Sequence, residues 1–196
     1  KNYMARDKSI AQSLAVITKA GSDRINEYAF QYAEKNDRQK VTVVHKANIL
    51  KYSQGIFLDS AREVAKRHPD IEFEERIVDA VCMHLVMDPS NLDVIVTTNM
   101  FGDILSDLTA GLVGGLGMIA GANIGEGVAL FEAVHGSAPD IAGKGIANPI
   151  AVTKAGIMLL QHIGEKDAAQ RIETALKQIV AEGVHAGHAR ARAVRV

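Results

Sequence analysis

Two hydrophobic periods alternate along this chain and predict strands and helices in turn. Ile25, Tyr28, Ala29, Tyr32 and Ala33 recur at helical spacing behind Ser22, which is placed to cap that helix. Upstream, Ile10 to Thr18 reads either as a helix or as a strand through Leu14, Val16 and Thr18. The β-branched run Val41-Thr42-Val43-Val44 is bounded by charge and predicts a buried strand, with His45-Lys46-Ala47-Asn48 at its C-terminal end. A helix over about 55–67 turns Phe57, Ala61 and Val64 inward and stops before Pro69, because a proline disfavours helical backbone in the residue before it. An extended stretch over 71–78 follows, then a short apolar helix from Asp79 to Pro89, and a strand over 92–98 that leads into another helix.

At Gly111 the pattern changes. Gly-Leu-Val-Gly-Gly-Leu-Gly, then Gly121-Ala-Asn-Ile-Gly125-Glu-Gly127, mark a hinge that divides residues 1–112 from 113–183. Val128 to Ala133 predicts a strand, and His135 to Ala147 a long Gly-rich loop. Asn148-Pro149 supplies an N-cap with proline at the first helical position, and that helix runs to a Gly164 C-cap. Asp167 to Glu182 predicts an amphipathic helix closing on Gly183. Strands alternating with helices predict an α/β architecture. Residues 184–196 hold only Ala, Arg, His, Gly and Val without apolar periodicity, and predict a solvated, disordered tail.

Composition narrows the field without naming a function. The 196 residues carry a formal net charge of -1, so no basic excess points to nucleic acid or an anionic membrane. The longest apolar runs are broken by Gly, Thr or charge and predict no membrane span. Cys82, the one cysteine, rules out an internal disulfide and suits a reducing compartment, cytoplasm or mitochondrial matrix. The chain opens at Lys1, which fits a processed protein or a piece of a longer one.

The chemistry concentrates in four groups. In Asn99-Met-Phe-Gly-Asp103-Ile-Leu-Ser-Asp107 the two carboxylates are four residues apart, so on a helix of about 3.6 residues per turn they point the same way. Gly111 and Gly115 extend that stripe, and Ile104, Leu105, Leu108, Leu112 and Leu116 are expected on the buried side. Charge without bulk above it suits a small hard cation held against a ligand. Equally, Asp103 stabilises the helix N-terminus through its dipole and Asp107 is simply exposed. Asp79 follows a predicted strand, where it can add a third carboxylate. Lys46 sits at the C-terminal end of a strand, where α/β proteins place ligands; a lysine near cationic groups can serve as acid or base. The fourth group is Glu132-Ala-Val-His135-Gly-Ser-Ala-Pro-Asp140-Ile-Ala-Gly143 with Asn148 beyond, whose small residues leave backbone groups open to a ligand. The dinucleotide fingerprint G-x-G-x-x-G, the P-loop and G-x-S-x-G are all absent.

Together, His45-Lys46-Ala47-Asn48, Ile77-Val78-Asp79, Asn99 to Leu108 and Glu132 to Pro149 resemble the isocitrate/isopropylmalate dehydrogenase family, in register from about Ser9 to Gly183. The resemblance implies an α/β fold with an incomplete large domain (113–183) and a small dimerisation domain (1–112). It implies metal-dependent oxidative decarboxylation of a hydroxy-tricarboxylate. Asp79, Asp103 and Asp107 would bind Mg²⁺ or Mn²⁺, Lys46 would take the hydroxyl proton, and Asn48 would lie near substrate and nicotinamide. Glu132, His135, Gly136, Ser137, Ala138, Asp140 and Asn148 would serve the cofactor, and an acidic residue at Asp140 goes with NAD. Family members are dimers in which Lys46 and Asp79 of one subunit would meet Asp103 and Asp107 of the other.

His-Lys-Ala-Asn is similar to isocitrate and homoisocitrate enzymes, which places isocitrate ahead of homoisocitrate and 3-isopropylmalate as substrate. The family's substrate-clamping arginines and catalytic tyrosine would fall upstream of Lys1, and Tyr3 is given no catalytic role. The Ala/Arg/His tail departs from the family pattern, as do Ile119-Ala120 and Ile150. A non-catalytic fragment or regulatory-type subunit is the competing reading, although intact Lys46, Asp79, Asp103 and Asp107 speak against an evolved regulatory role.

Overall fold

A computed structural model describes residues 2–183. The expected disordered tail lies outside the described residues. The chain divides into two compact units, one running to Leu105 and the other starting at Ser106, so the division falls within a helix.

The first unit opens with a small antiparallel pair, β1 (Asn2–Met4) and β2 (Ala11–Ser13), so part of the ambiguous 10–18 stretch is strand. Helix α1 (Lys19–Lys35) follows, then β3 (Lys40–His45), α2 (Ser53–Ala65), β4 (Glu72–Ile77), α3 (Val78–Met87), β5 (Val94–Thr97) and the first half of α4 (Asn99–Leu112). The sheet is three-stranded and parallel, in the order β4-β3-β5. The chain steps from β3 out to β4 and then crosses β3 to reach β5. Right-handed crossovers therefore put α2 and α3 on opposite faces. Phe57, Leu58, Ala61 and Val64 of α2 join Ala29, Phe30 and Ala33 of α1 over Val41, Val43 and Val96 to form the core.

Helix α1 corrects the expected cap. Thr18, in extended conformation, is the N-cap, and its Oγ1 accepts the Gly21 N–H at 3.1 Å. Ser22 lies inside the helix and donates to the Thr18 carbonyl at 2.9 Å. The inward stripe is Ser22, Asn26, Ala29, Phe30 and Ala33, while Ile25, Tyr28 and Tyr32 stay exposed. The apolar period misleads because Ser22 and Asn26 are buried in that stripe, where Asn26 Oδ1 has no hydrogen-bond partner among the described residues and only its Nδ2 is engaged. Asn26 Nδ2 donates to the Phe57 carbonyl and to Ser60 Oγ, each at 3.2 Å.

In the second unit, β6 (Ala120–Ile124) and β7 (Ala129–Ala133) pair antiparallel, and α5 (Ile150–His162) packs on both with α6 (Lys166–Ala181) beside it. Strand β6 forms within the segment whose glycines read as a hinge. Ala122 and Asn123 pair with Phe131 and Leu130 across the turn.

Ion pairs tie the elements of the first unit together. Arg62 of α2 grips Glu75 of β4 with two hydrogen bonds, at 2.6 and 2.9 Å, and these hold the Glu75 carboxyl below its ordinary range. A hydrogen bond from Arg67 does the same for Glu27. A carboxyl depressed in the folded state binds fewer protons there than in the unfolded chain. Its contribution is thus complete above the ordinary value of 4.5 and disappears as pH falls through the folded value. The stability gap between wild type and Arg62→Met, measured by urea denaturation, should narrow between pH 7 and pH 3. A gap that stays constant would show that the pair contributes nothing.

Candidate active-site residues and a candidate cofactor cavity

Parallel strands in this order send their C-terminal ends to one edge, the place where α/β sheets bind ligands. Lys46 follows β3, Asp79 stands in the first turn of α3 just after β4, and Thr98-Asn99 follow β5 into α4. Lys46 Nζ is ion-paired with Asp79 Oδ1, joining two of the expected site residues directly. The hydrogen bond from Lys46 is the main reason the Asp79 carboxyl lies below its usual range. Asn48 is exposed on the turn after Lys46, whose carbonyl accepts the N–H groups of Ile49 at 3.1 Å and Leu50 at 2.8 Å.

Two residues behind Lys46 were not expected. Gln54 is buried on α2, accepts the Lys46 N–H at 3.4 Å and donates to Thr98 Oγ1 at 3.3 Å, so one amide links the ends of β3 and β5. Its signal in the sequence is a polar residue one turn ahead of the inward-facing Phe57 and Leu58. His45 is buried at the end of β3, and its Nδ1 accepts the Ala47 N–H at 3.1 Å. Burial pushes His45 below the usual imidazole range; Glu75 opposes this and Arg62 adds to it.

Asp103 and Asp107 stand one turn apart on α4, and both are exposed. The expected apolar side of that helix is corrected. Leu105 is buried with Phe101 and Ala110, but Ile104 and Leu112 are exposed on the helix, and Leu116 is exposed beyond its end. Among the described residues, no three His, Cys, Asp or Glu side chains of one chain are grouped to hold a metal ion.

The second unit holds a cavity of about 510 Å³, within the range of small-molecule sites. His135, Gly136, Ser137, Ala138 and Asn148 line it, with Gly117, Ile141 and Gly143. Asn148 Oδ1 accepts the Ile150 N–H at 3.0 Å just ahead of α5, whose N-cap is Pro149 rather than the expected Asn148, and its Nδ2 reaches Met118 Sδ at 3.4 Å. Ala138 adopts φ 45°, a left-handed conformation uncommon for a residue with a Cβ. Two expected residues are not in the lining. Asp140 lies in the short turn Pro139–Ile141, between the lining residues Ala138 and Ile141, and Glu132 accepts from Asn123 Nδ2 at 3.0 Å across the hairpin.

A family profile for isocitrate/isopropylmalate dehydrogenase matches residues 1–193. The chain belongs to the isocitrate/isopropylmalate dehydrogenase family. Within it, 3-isopropylmalate dehydrogenase of Archaeoglobus fulgidus is 53% identical over 174 residues, 89% of this chain and 53% of that protein. A mitochondrial regulatory subunit of NAD isocitrate dehydrogenase from Dictyostelium discoideum is 55% identical over 177 residues, 90% of this chain and 50% of that protein. A crystal structure of isocitrate dehydrogenase from Methylococcus capsulatus superposes with a TM-score of 0.89 at 60% identity, covering 93% of this chain and 55% of that one. The chain thus spans about half the length of the family members it matches. Members with different names are nearly equally similar, so identity over this segment does not separate isocitrate from isopropylmalate.

If Lys46 sets the ionisation of Asp79, Lys46→Met should raise the pH at which the Asp79 carboxyl titrates, followed by ¹³C NMR. An unmoved titration would remove the ion pair from the site.

Proposed function

We propose that this chain is the part of an NAD-dependent isocitrate dehydrogenase that carries its proton-transfer and metal-binding residues. The ion pair of Lys46 with Asp79 at the sheet's C-terminal edge is the observation that carries the reading. A lysine fixed there can accept a hydroxyl proton as hydride leaves the adjoining carbon. An amine must be neutral to accept a proton, and drawing Asp79 onto a cation would release Lys46 from its ion pair. Asn48, on the same turn, would orient substrate against the nicotinamide.

Asp79, Asp103 and Asp107 offer only carboxylate oxygens, the donors that suit Mg²⁺ or Mn²⁺. Bound metal would polarise the hydroxyl and ketone oxygens and stabilise the charge left when the carboxylate departs as CO₂, while NAD would accept the hydride. The cavity in the second unit would take the adenosine end of NAD against His135 to Ala138 and Asn148, with Asp140 disfavouring a 2′-phosphate by charge. Residues 1–112 would form the small dimerising domain, and 113–183 part of the cofactor domain.

A homodimer that shares its sites is supported by the surfaces beside the carboxylates. Met83 and Val86 lie one and two turns beyond Asp79 on α3 and are 53% and 64% exposed. Met100 and Ile104 flank Asp103 on α4 at 61% and 53% exposed. Apolar stripes of this kind favour burial against another chain, and a second copy would bring Lys46 and Asp79 of one subunit to Asp103 and Asp107 of the other. The reading places the protein in the cytoplasm, or in the mitochondrial matrix if it is eukaryotic. Among the described residues no helix is long and apolar enough to cross a membrane.

Homoisocitrate and 3-isopropylmalate are the alternative substrates. A non-catalytic, regulatory-type role is the alternative of another class, favoured by the likeness to a regulatory subunit. The deciding assay supplies isocitrate, homoisocitrate and isopropylmalate with NAD and Mn²⁺, to the 196-residue chain and to a chain extended to the length of its relatives. Turnover of isocitrate by the extended chain is expected, and turnover of none would favour the regulatory role. In that extended protein, Asp103→Asn should abolish Mn²⁺-dependent turnover, and retained activity would remove Asp103 from the metal site. Asp140→Lys should shift cofactor preference toward NADP by at least about tenfold, an energy of about 1.4 kcal/mol. An unchanged NAD/NADP ratio would show that Asp140 does not read the ribose.

A further inference from the structure

The peptide that carries Lys46 leaves β3 with two successive N–H groups pointing at side chains rather than at a neighbouring strand. Gln54 Oε1 accepts the Lys46 N–H at 3.4 Å, and His45 Nδ1 accepts the Ala47 N–H at 3.1 Å. Both side chains are buried, so neither contact has water to replace it cheaply. The Ala47 contact is the closer of the two.

We propose that His45 is a positioning residue for Lys46, acting in its Nε2–H tautomer through the Nδ1 atom that receives the Ala47 N–H. The tautomer follows from the donor. A ring nitrogen that accepts an N–H carries no hydrogen itself, so in the neutral ring the hydrogen is on Nε2. The register explains why the ring stays in place. Val43 of β3 pairs with Glu75 of β4, and His45 lies two residues on, on the same sheet face as Glu75, which Arg62 of α2 holds from the side. The ring is therefore walled in by β4 and α2 while its δ edge faces the turn. The turn closes on the Lys46 carbonyl through the Ile49 and Leu50 N–H groups, so anchoring Ala47 fixes the base of the Lys46 side chain, whose tip is paired with Asp79.

The consequence for catalysis rests on the proposed role of Lys46, but the hydrogen bond can be tested without turnover. Amide hydrogen exchange at Ala47 is to be measured by NMR on the 196-residue chain as wild type, His45→Asn and His45→Gln, with the Val43 amide of the same strand as the folding control. Asparagine places an acceptor oxygen at the δ position; glutamine places its own one bond farther out. Acetylation of Lys46, read by peptide mass spectrometry against Lys19, reports whether the side chain is still held.

Ala47 exchange should rise at least about tenfold in His45→Gln and stay near wild type in His45→Asn, with Val43 protected in both. Lys46 acetylation should rise in the glutamine variant alone. Equal exchange at Ala47 in wild type and His45→Gln would overturn the proposal. So would exchange in His45→Asn as fast as in His45→Gln. Either result would leave the assignment of Lys46 as proton acceptor to be judged by the substrate assay.

Discussion

Strand β3 is the constraint on which the site depends. Val41, Thr42, Val43 and Val44 are all fully buried, and the strand is hydrogen-bonded to β4 on one side and β5 on the other. A strand covered on both faces and paired along both edges cannot slip by one residue without turning its whole side-chain set over. The point at which Lys46 emerges is therefore set by the packing of Phe57, Val64 and Phe30 some distance away. The Thr97 hydroxyl, donating to the Val44 carbonyl at 2.7 Å, fastens the end of β5 to the same point.

Polar groups inside the first unit behave differently from those at its sheet edge. Asn26 and Gln54 are buried and bridge elements through their side-chain amides. His68 is buried against Phe30, with ring centroids 5.3 Å apart, and its two ring nitrogens reach Glu34 at 2.6 Å and Glu27 at 3.2 Å. These contacts fix how α1 lies against α2 and the turn beyond it. The carboxylates Asp79, Asp103 and Asp107 are exposed on helices instead, where they remain accessible to a ligand. The division of labour has a physical reason. A buried polar group costs free energy unless it is hydrogen-bonded within the protein, whereas a group that must exchange partners has to face solvent or another molecule.

The second unit builds its cavity from backbone more than from side chains. Ala138, Gly143 and Gly145 all have positive φ, so the loop between β7 and α5 turns repeatedly within a few residues. At its end Asn148 accepts the Ile150 N–H ahead of α5, and Lys154 Nζ of that helix donates to the Met118 carbonyl at 3.0 Å, next to the lining residue Gly117. Such a loop has few apolar contacts of its own, which suits a surface that accommodates a ligand.

Much of this is legible in the chain itself. The β-branched run at Val41, the proline stop at Pro69 and the spacing of Asp103 and Asp107 each rest on local chemistry, and local chemistry is what sequence displays. The signal fails where burial is decided by partners far along the chain. Ser22 reads as a cap because it is polar, yet it is enclosed because α2 lies over it. Ile104 and Leu112 read as buried because they are apolar, yet they are 53% and 39% exposed. Gln54 and His45 carry almost no signal, since their meaning lies in the Lys46 and Ala47 amides they receive. The sequence by itself determined which residues could do the chemistry and that strands and helices alternate to carry them. Only the tertiary structure decided that Lys46 and Asp79 meet, because their pairing depends on β3 and β4 lying side by side in register.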